Sequence, residues 1–72
     1  MRDPERLEDL YYQMFELHKE KVHDMRIGQL LCNFFSWHMA EYRQDFFYVE
    51  DNELLFRFDI FMKRLIGAKE EQ

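Results

Sequence analysis

The chain has almost nothing that bends, breaks or cross-links a backbone: of its 72 residues two are glycine, one is proline and one is cysteine. A lone thiol, Cys32, closes no intrachain disulfide. No apolar leader-like run follows the charged start (Met1, Arg2, Asp3, Pro4, Glu5, Arg6), so the expected location is the cytoplasm. No run of about 18 uncharged apolar residues is present, which argues against a membrane-spanning helix. Cations are in short supply, with ten Lys and Arg against fifteen Asp and Glu and a net charge of −5. That balance repels phosphate backbones and anionic headgroups and makes direct nucleic-acid binding an unfavoured expectation. A phosphate-binding loop, a Cys-x-x-Cys pair and a dinucleotide fingerprint are all missing, so no cofactor is expected. Ser36 and Cys32 have no neighbouring base or exposing turn, and no catalytic residue is assigned.

What the chain does have is aromatic and aliphatic mass arranged with helical period. Eight Phe, four Tyr and one Trp make 18% of the residues. Asp3 followed by Pro4 is a helix start signal, because the carboxylate accepts from free N–H groups while proline takes the position where no donor is needed. The spacing predicts a first helix over about 4–21, with Leu7, Leu10, Tyr11, Met14, Phe15, Leu17, His18 and Val22 on one face. Asp24 is the expected cap of a second helix over about 25–41, with Ile27, Leu30, Leu31, Phe34, Phe35, His38, Met39 and Tyr42 as its stripe. The period is lost from Arg43 to Val49, which reads as an ordered, partly buried connection rich in aromatics (Phe46, Phe47, Tyr48). A third helix is expected over about 51–66. It opens at the acids Glu50, Asp51 and Glu53 and closes near Gly67, with Leu54, Leu55, Phe58, Phe61, Met62, Leu65 and Ile66 facing the core. Three such stripes joined by short connections predict an all-α fold, a compact antiparallel three-helix bundle in a single domain spanning 1–72.

A domain this small buries a modest share of its surface, and oligomerisation is the supplement to stability that remains when disulfides are excluded. Some large apolar residues also fall outside every stripe. Phe56 and Ile60 lie one turn apart on the far side of the third helix, each worth about 1.5–3 kcal/mol if buried. With Tyr12 and Trp37 as flanking aromatics and Arg57 and Arg64 as rim charges, they are the expected anchors of a protein contact. Arg26, Gln29 and Asn33 share a narrow polar sector of the second helix beside Trp37, suited to reading a partner's backbone or side chains. Gly28 costs about 1 kcal/mol relative to alanine inside a helix, so close approach of another backbone is expected there, with the first helix as the neighbour.

The segment Arg26-Ile-Gly-Gln-Leu-Leu-Cys-Asn33 and the later Asp45-Phe-Phe-Tyr-Val-Glu-Asp-Asn-Glu-Leu54 resemble a pattern in small helical proteins of bacteria and their phages. The resemblance covers Arg26 to about Leu54; it implies a helical fold and leaves the activity open.

Titratable groups add fewer expectations. His18 and His38 fall near the middle of apolar stripes and are expected to form hydrogen bonds at the core edge, with a role as pH sensors left open. His38 and Glu41 have the spacing of two metal ligands without a third, so no metal is expected. Asp45, Glu50, Asp51 and Glu53 are expected chiefly to cap helices and oppose their dipoles. The functional expectation is a small acidic protein-binding module that pairs with a copy of itself, as a homodimer, and regulates a second protein target. The alternative is an acidic inhibitor that imitates nucleic acid to occupy the basic groove of an enzyme. A nucleic-acid binder would instead need the cations Arg57, Lys63, Arg64 and Lys69 to form one face.

Overall fold

In the computed structural model, which describes residues 2–70 and the side chains of 2–67, three helices run α1 Arg6–Lys21, α2 Ile27–Tyr42 and α3 Asp51–Glu70. A single turn of 3-10 helix, Phe46–Tyr48, lies in the connection between α2 and α3. No strand occurs among the described residues. The fold is therefore all-α, and among the described residues no helix is long and apolar enough to cross a membrane.

The helix ends show which local signals acted. Asp3 does start the first helix, but as an Asx turn. Its carboxylate accepts from the Glu5 N–H at 3.0 Å and its carbonyl from the Arg6 N–H at 3.2 Å, so regular α-helix begins at Arg6, after the Pro4 position. At the start of α2 the expected cap is replaced. Asp24 stays in the preceding turn, and Arg26, extended at ψ 149°, is the capping residue. The Gln29 side chain reaches back to accept from the Arg26 N–H at 2.9 Å, the rear half of a capping box, while Arg26 itself has no side-chain acceptor to supply the other half. Helix α2 ends through Arg43 in the left-handed region at φ 52°, whose N–H bonds to the Met39 carbonyl. A non-glycine residue there costs about 1–2 kcal/mol.

The close of α3 also differs from expectation. Gly67 has no positive φ and sits inside a helix that continues to Glu70. A Cβ built on Gly67 meets nothing within 4 Å. Gly67→Ala is thus expected to raise stability by about 0.5 kcal/mol through backbone entropy alone, read as a rise in urea midpoint with an unchanged slope.

Helix α3 is the centre of the packing. Both α1 and α2 lie on it and touch each other little. Arg6 near the start of α1 pairs with Asp51 at the start of α3, and Leu17 and Lys21 near its end line a hollow with Met62 and Ile66. The core is made by Leu30 and Phe34 from α2, Phe58, Phe61 and Met62 from α3, and Val22 just beyond α1, with Met14, Leu17, Met25, Trp37, Phe46, Leu54 and Leu65 packed around it. Phe34 is the hub. Its ring stacks on Phe46 at 5.6 Å, meets Phe58 edge-on at 5.1 Å and lies 5.4 Å from Phe61.

This arrangement is narrow, with extents of 46 × 27 × 18 Å. Because α1 and α2 lean on α3 and hardly on one another, each has only one strip covered. Tyr11 and Phe15, expected in the core, are exposed on α1, and no residue of α1 is fully buried. Ile27, Leu31, Phe35 and Met39, also expected in the core, are exposed on α2. The close approach expected at Gly28 is absent for the same reason: a Cβ there meets nothing within 4 Å, and α1 is not its neighbour.

Candidate protein-docking surface

The residues singled out from the sequence separate into three groups. Trp37, Arg57 and Arg64 come together where α2 crosses α3, and they act inside the molecule. The Trp37 ring is held by Phe34, Tyr42 and Phe61 at 5.5–6.2 Å, and its buried Nε1 has no protein acceptor. Arg64 pairs with Glu41 at 3.0 Å and its guanidinium lies 5.9 Å from the Trp37 ring. Arg57 is the most engaged of the described side chains. Only 15% exposed, it donates to Glu53 at 3.1 Å, to His38 Nε2 at 2.9 Å and to Gln44 Oε1 at 3.2 Å, and it lies 4.1 Å from the Tyr42 ring.

His38 completes that cluster and is fully buried. Its Nδ1 is 3.0 Å from the Gln44 carbonyl, which can only accept, so Nδ1 carries the proton and Nε2 accepts from Arg57. Both ring nitrogens are therefore used in fastening the connection after α2 to the α2 and α3 helices. His18 plays a simpler part, donating from Nε2 to the Met25 carbonyl at 2.6 Å across the turn between α1 and α2.

Arg26, Gln29 and Asn33 form the second group, exposed near the start of α2. Asn33 Nδ2 is 3.8 Å from Met25 Sδ, and Gln29 is occupied by its cap contact. With Asp24, Met25, Gly28, Gln29 and Cys32, Asn33 borders a shallow groove of about 570 Å³. The third group is scattered. Phe56 is 60% exposed on α3, while Ile60 is half-buried, and the aromatic neighbour of Tyr12 is Phe15 on its own helix.

One uncovered apolar feature is a row whose period predicts a place in the core. Ile27, Leu31, Phe35 and Met39 are 57%, 41%, 38% and 39% exposed and follow one another at intervals of four along α2. Such a spacing forms a continuous ridge on a helix. The ridge is extended sideways where Phe46 meets Phe35 edge-on at 5.0 Å, next to the exposed pair Phe47 and Tyr48. A signal for this was present in the sequence: α2 carries one charged side chain, Glu41, in sixteen residues, so it has no solvated charged face of the usual kind.

Charge at the entry to α3 is mostly paired. Of the four acids around the entry to α3, Glu50 binds Arg2 at 2.8 Å, Asp51 binds Arg6 at 2.8 Å and Glu53 binds Arg57. Asp45 accepts from the Phe47 N–H at 3.0 Å and so caps the 3-10 turn. Of the cations that a nucleic-acid face would need, Lys63 pairs with Asp59 and the side chain of Lys69 lies outside the described residues. Among the described residues no three His, Cys, Asp or Glu side chains gather as a metal site requires. Comparison with protein-family models, with curated proteins and with solved structures gives no match. The segment 26–33 builds the start of α2, and the segment 45–54 builds the 3-10 turn and the start of α3.

Proposed function

We propose that this protein is a self-associating protein-binding module whose working form is a homodimer. One observation carries the reading. Among the described residues eleven large apolar side chains are exposed, against six in the buried core, and an uncovered set of that extent belongs to interfaces more than to isolated domains.

The rival reading, an acidic imitation of nucleic acid, has less to work with, because three of the four acids near α3 are already neutralised by arginines. The two differ in response to salt. Apolar self-association is expected to give a species of twice 9.1 kDa by light scattering after size exclusion, unchanged between about 0.1 and 0.5 M salt. A single-copy mass at high protein concentration would overturn the proposal. Capture of a basic nucleic-acid-binding protein that is lost steeply with salt would favour the rival.

A further inference from the structure

The outer side of α2 carries two rows, not one. Beside the ridge Ile27, Leu31, Phe35 and Met39 runs a second row at the same interval, Gly28, Cys32, Ser36 and Ala40, in which every side chain is small; all eight residues are exposed. The small row is a trough rather than a flat. The groove bordered by Gly28 and Cys32 occupies its first half, and a Cβ at Gly28 would stand in open space. A high row next to a low row of equal pitch is a surface that fits a copy of itself, since ridges formed at intervals of four pack into the furrow between such rows on a facing helix. A two-fold axis across α2 places the ridge of each copy over the small row of the other.

We propose that α2 is the dimer interface and that two α2 helices pair in opposite directions, centred between Cys32 and Ser36. This rests on the self-association reading and names its partner surface. The charges at the two ends of α2 support a second copy as the occupant, because an acid at one end and a cation at the other complement those of an opposed copy. The polarity of α2 supports the direction. Asp24 precedes the helix, borders the groove and has the adjacent His23 ring 3.5 Å away, and Arg43 follows the helix without an acid partner among the described residues. Opposed helices set the Asp24 end of each copy beside the Arg43 end of the other and oppose the two helix dipoles, whereas helices in the same direction would set like ends together. The uncharged character of the face fits as well, since no charge has to be desolvated when the two rows close.

Three measurements test this. Leu31→Asp is expected to raise the dimer Kd at least a hundredfold while the helical circular dichroism is kept. Should Leu31→Asp lose helicity, Ser36→Trp serves in its place, because Ser36 is exposed in the protomer and the indole would fill the trough without entering the core. A dimer that forms with unchanged Kd in folded Leu31→Asp or Ser36→Trp overturns the α2 interface and leaves self-association standing. A wild-type protein that is monomeric overturns both. Direction is read by mild oxidation. In opposed helices with each ridge over the partner's small row, Cys32 meets position 35 of the second copy, so Phe35→Cys, which keeps Cys32, is expected to cross-link at least tenfold faster than wild type or than Cys32→Ser combined with Phe35→Cys. Equal rates for the three proteins would overturn the opposed arrangement.

Discussion

Phe34→Ala is expected to leave the chain largely unfolded at 37 °C. The substitution removes the ring on which α2, α3 and the 3-10 turn converge, with Phe46, Phe58 and Phe61 all within 5.1–5.6 Å of it. Truncating a buried Phe costs about 3–5 kcal/mol when its neighbours cannot collapse into the space. Collapse is hindered here because the surrounding rings are rigid and are pinned from different elements. A domain of this length has a total stability of about 4–11 kcal/mol, so the loss is comparable with the whole. The measurable outcome is a fall in Tm of about 15 °C or more by circular dichroism, at the usual 4–8 °C per kcal/mol for small domains. Phe56→Ala, on an exposed side chain of the same type, is the control and is expected to shift Tm by less than about 4 °C. A small effect at Phe34 would mean that the three elements do not share one core.

The contrast between Phe34 and Phe35 also marks how far the sequence could be read. Helical period placed both on the apolar side of α2, and it located all three helices and the aromatic connection. The core-facing residues Leu30, Phe34, Phe58, Phe61 and Met62 were legible for the same reason. Period gives the direction in which a helix is apolar, but not the width that its neighbours cover. That width depends on tertiary arrangement: with α1 and α2 both leaning on α3, the strip holding Leu30, Phe34 and His38 is buried and the adjoining one holding Leu31, Phe35 and Met39 is left in water. The near absence of charge on α2 was the available clue. Arg57 departs from expectation in the opposite sense. On a wheel it flanks Phe56 and looks like a rim cation, yet the residues that draw it inward, His38, Tyr42 and Gln44, are 13 to 19 positions away, and no local pattern reports them.

That cluster makes the second large prediction. Arg57→Leu is expected to destabilise the protein by about 2–3 kcal/mol, because it removes the donor to a fully buried imidazole and leaves His38 Nε2 an acceptor with nothing to accept. The lost stacking of the guanidinium on Tyr42 adds to this, since a partly desolvated cation over a ring is worth about 1–2 kcal/mol. His38→Leu alone has a different consequence: Arg57 keeps Glu53 and Gln44, but the Gln44 carbonyl loses its donor and the connection loses one of its two ties. Because Arg57→Leu strands the His38 Nε2 that His38→Leu removes, the double variant is expected to cost at least about 1 kcal/mol less than the sum of the singles in urea unfolding. Hydrogen exchange supplies a second reading. In Arg57→Leu the amides of Tyr48 and Val49, which bond to the carbonyls of Asp45 and Phe46 within the 3-10 turn, are expected to exchange faster than those of α1, which the substitution does not touch. Strict additivity of the two variants, with protection of the turn unchanged, would show that the His38 to Arg57 contact contributes nothing to holding the connection, and that the turn is fixed by the Phe34 to Phe46 stacking instead.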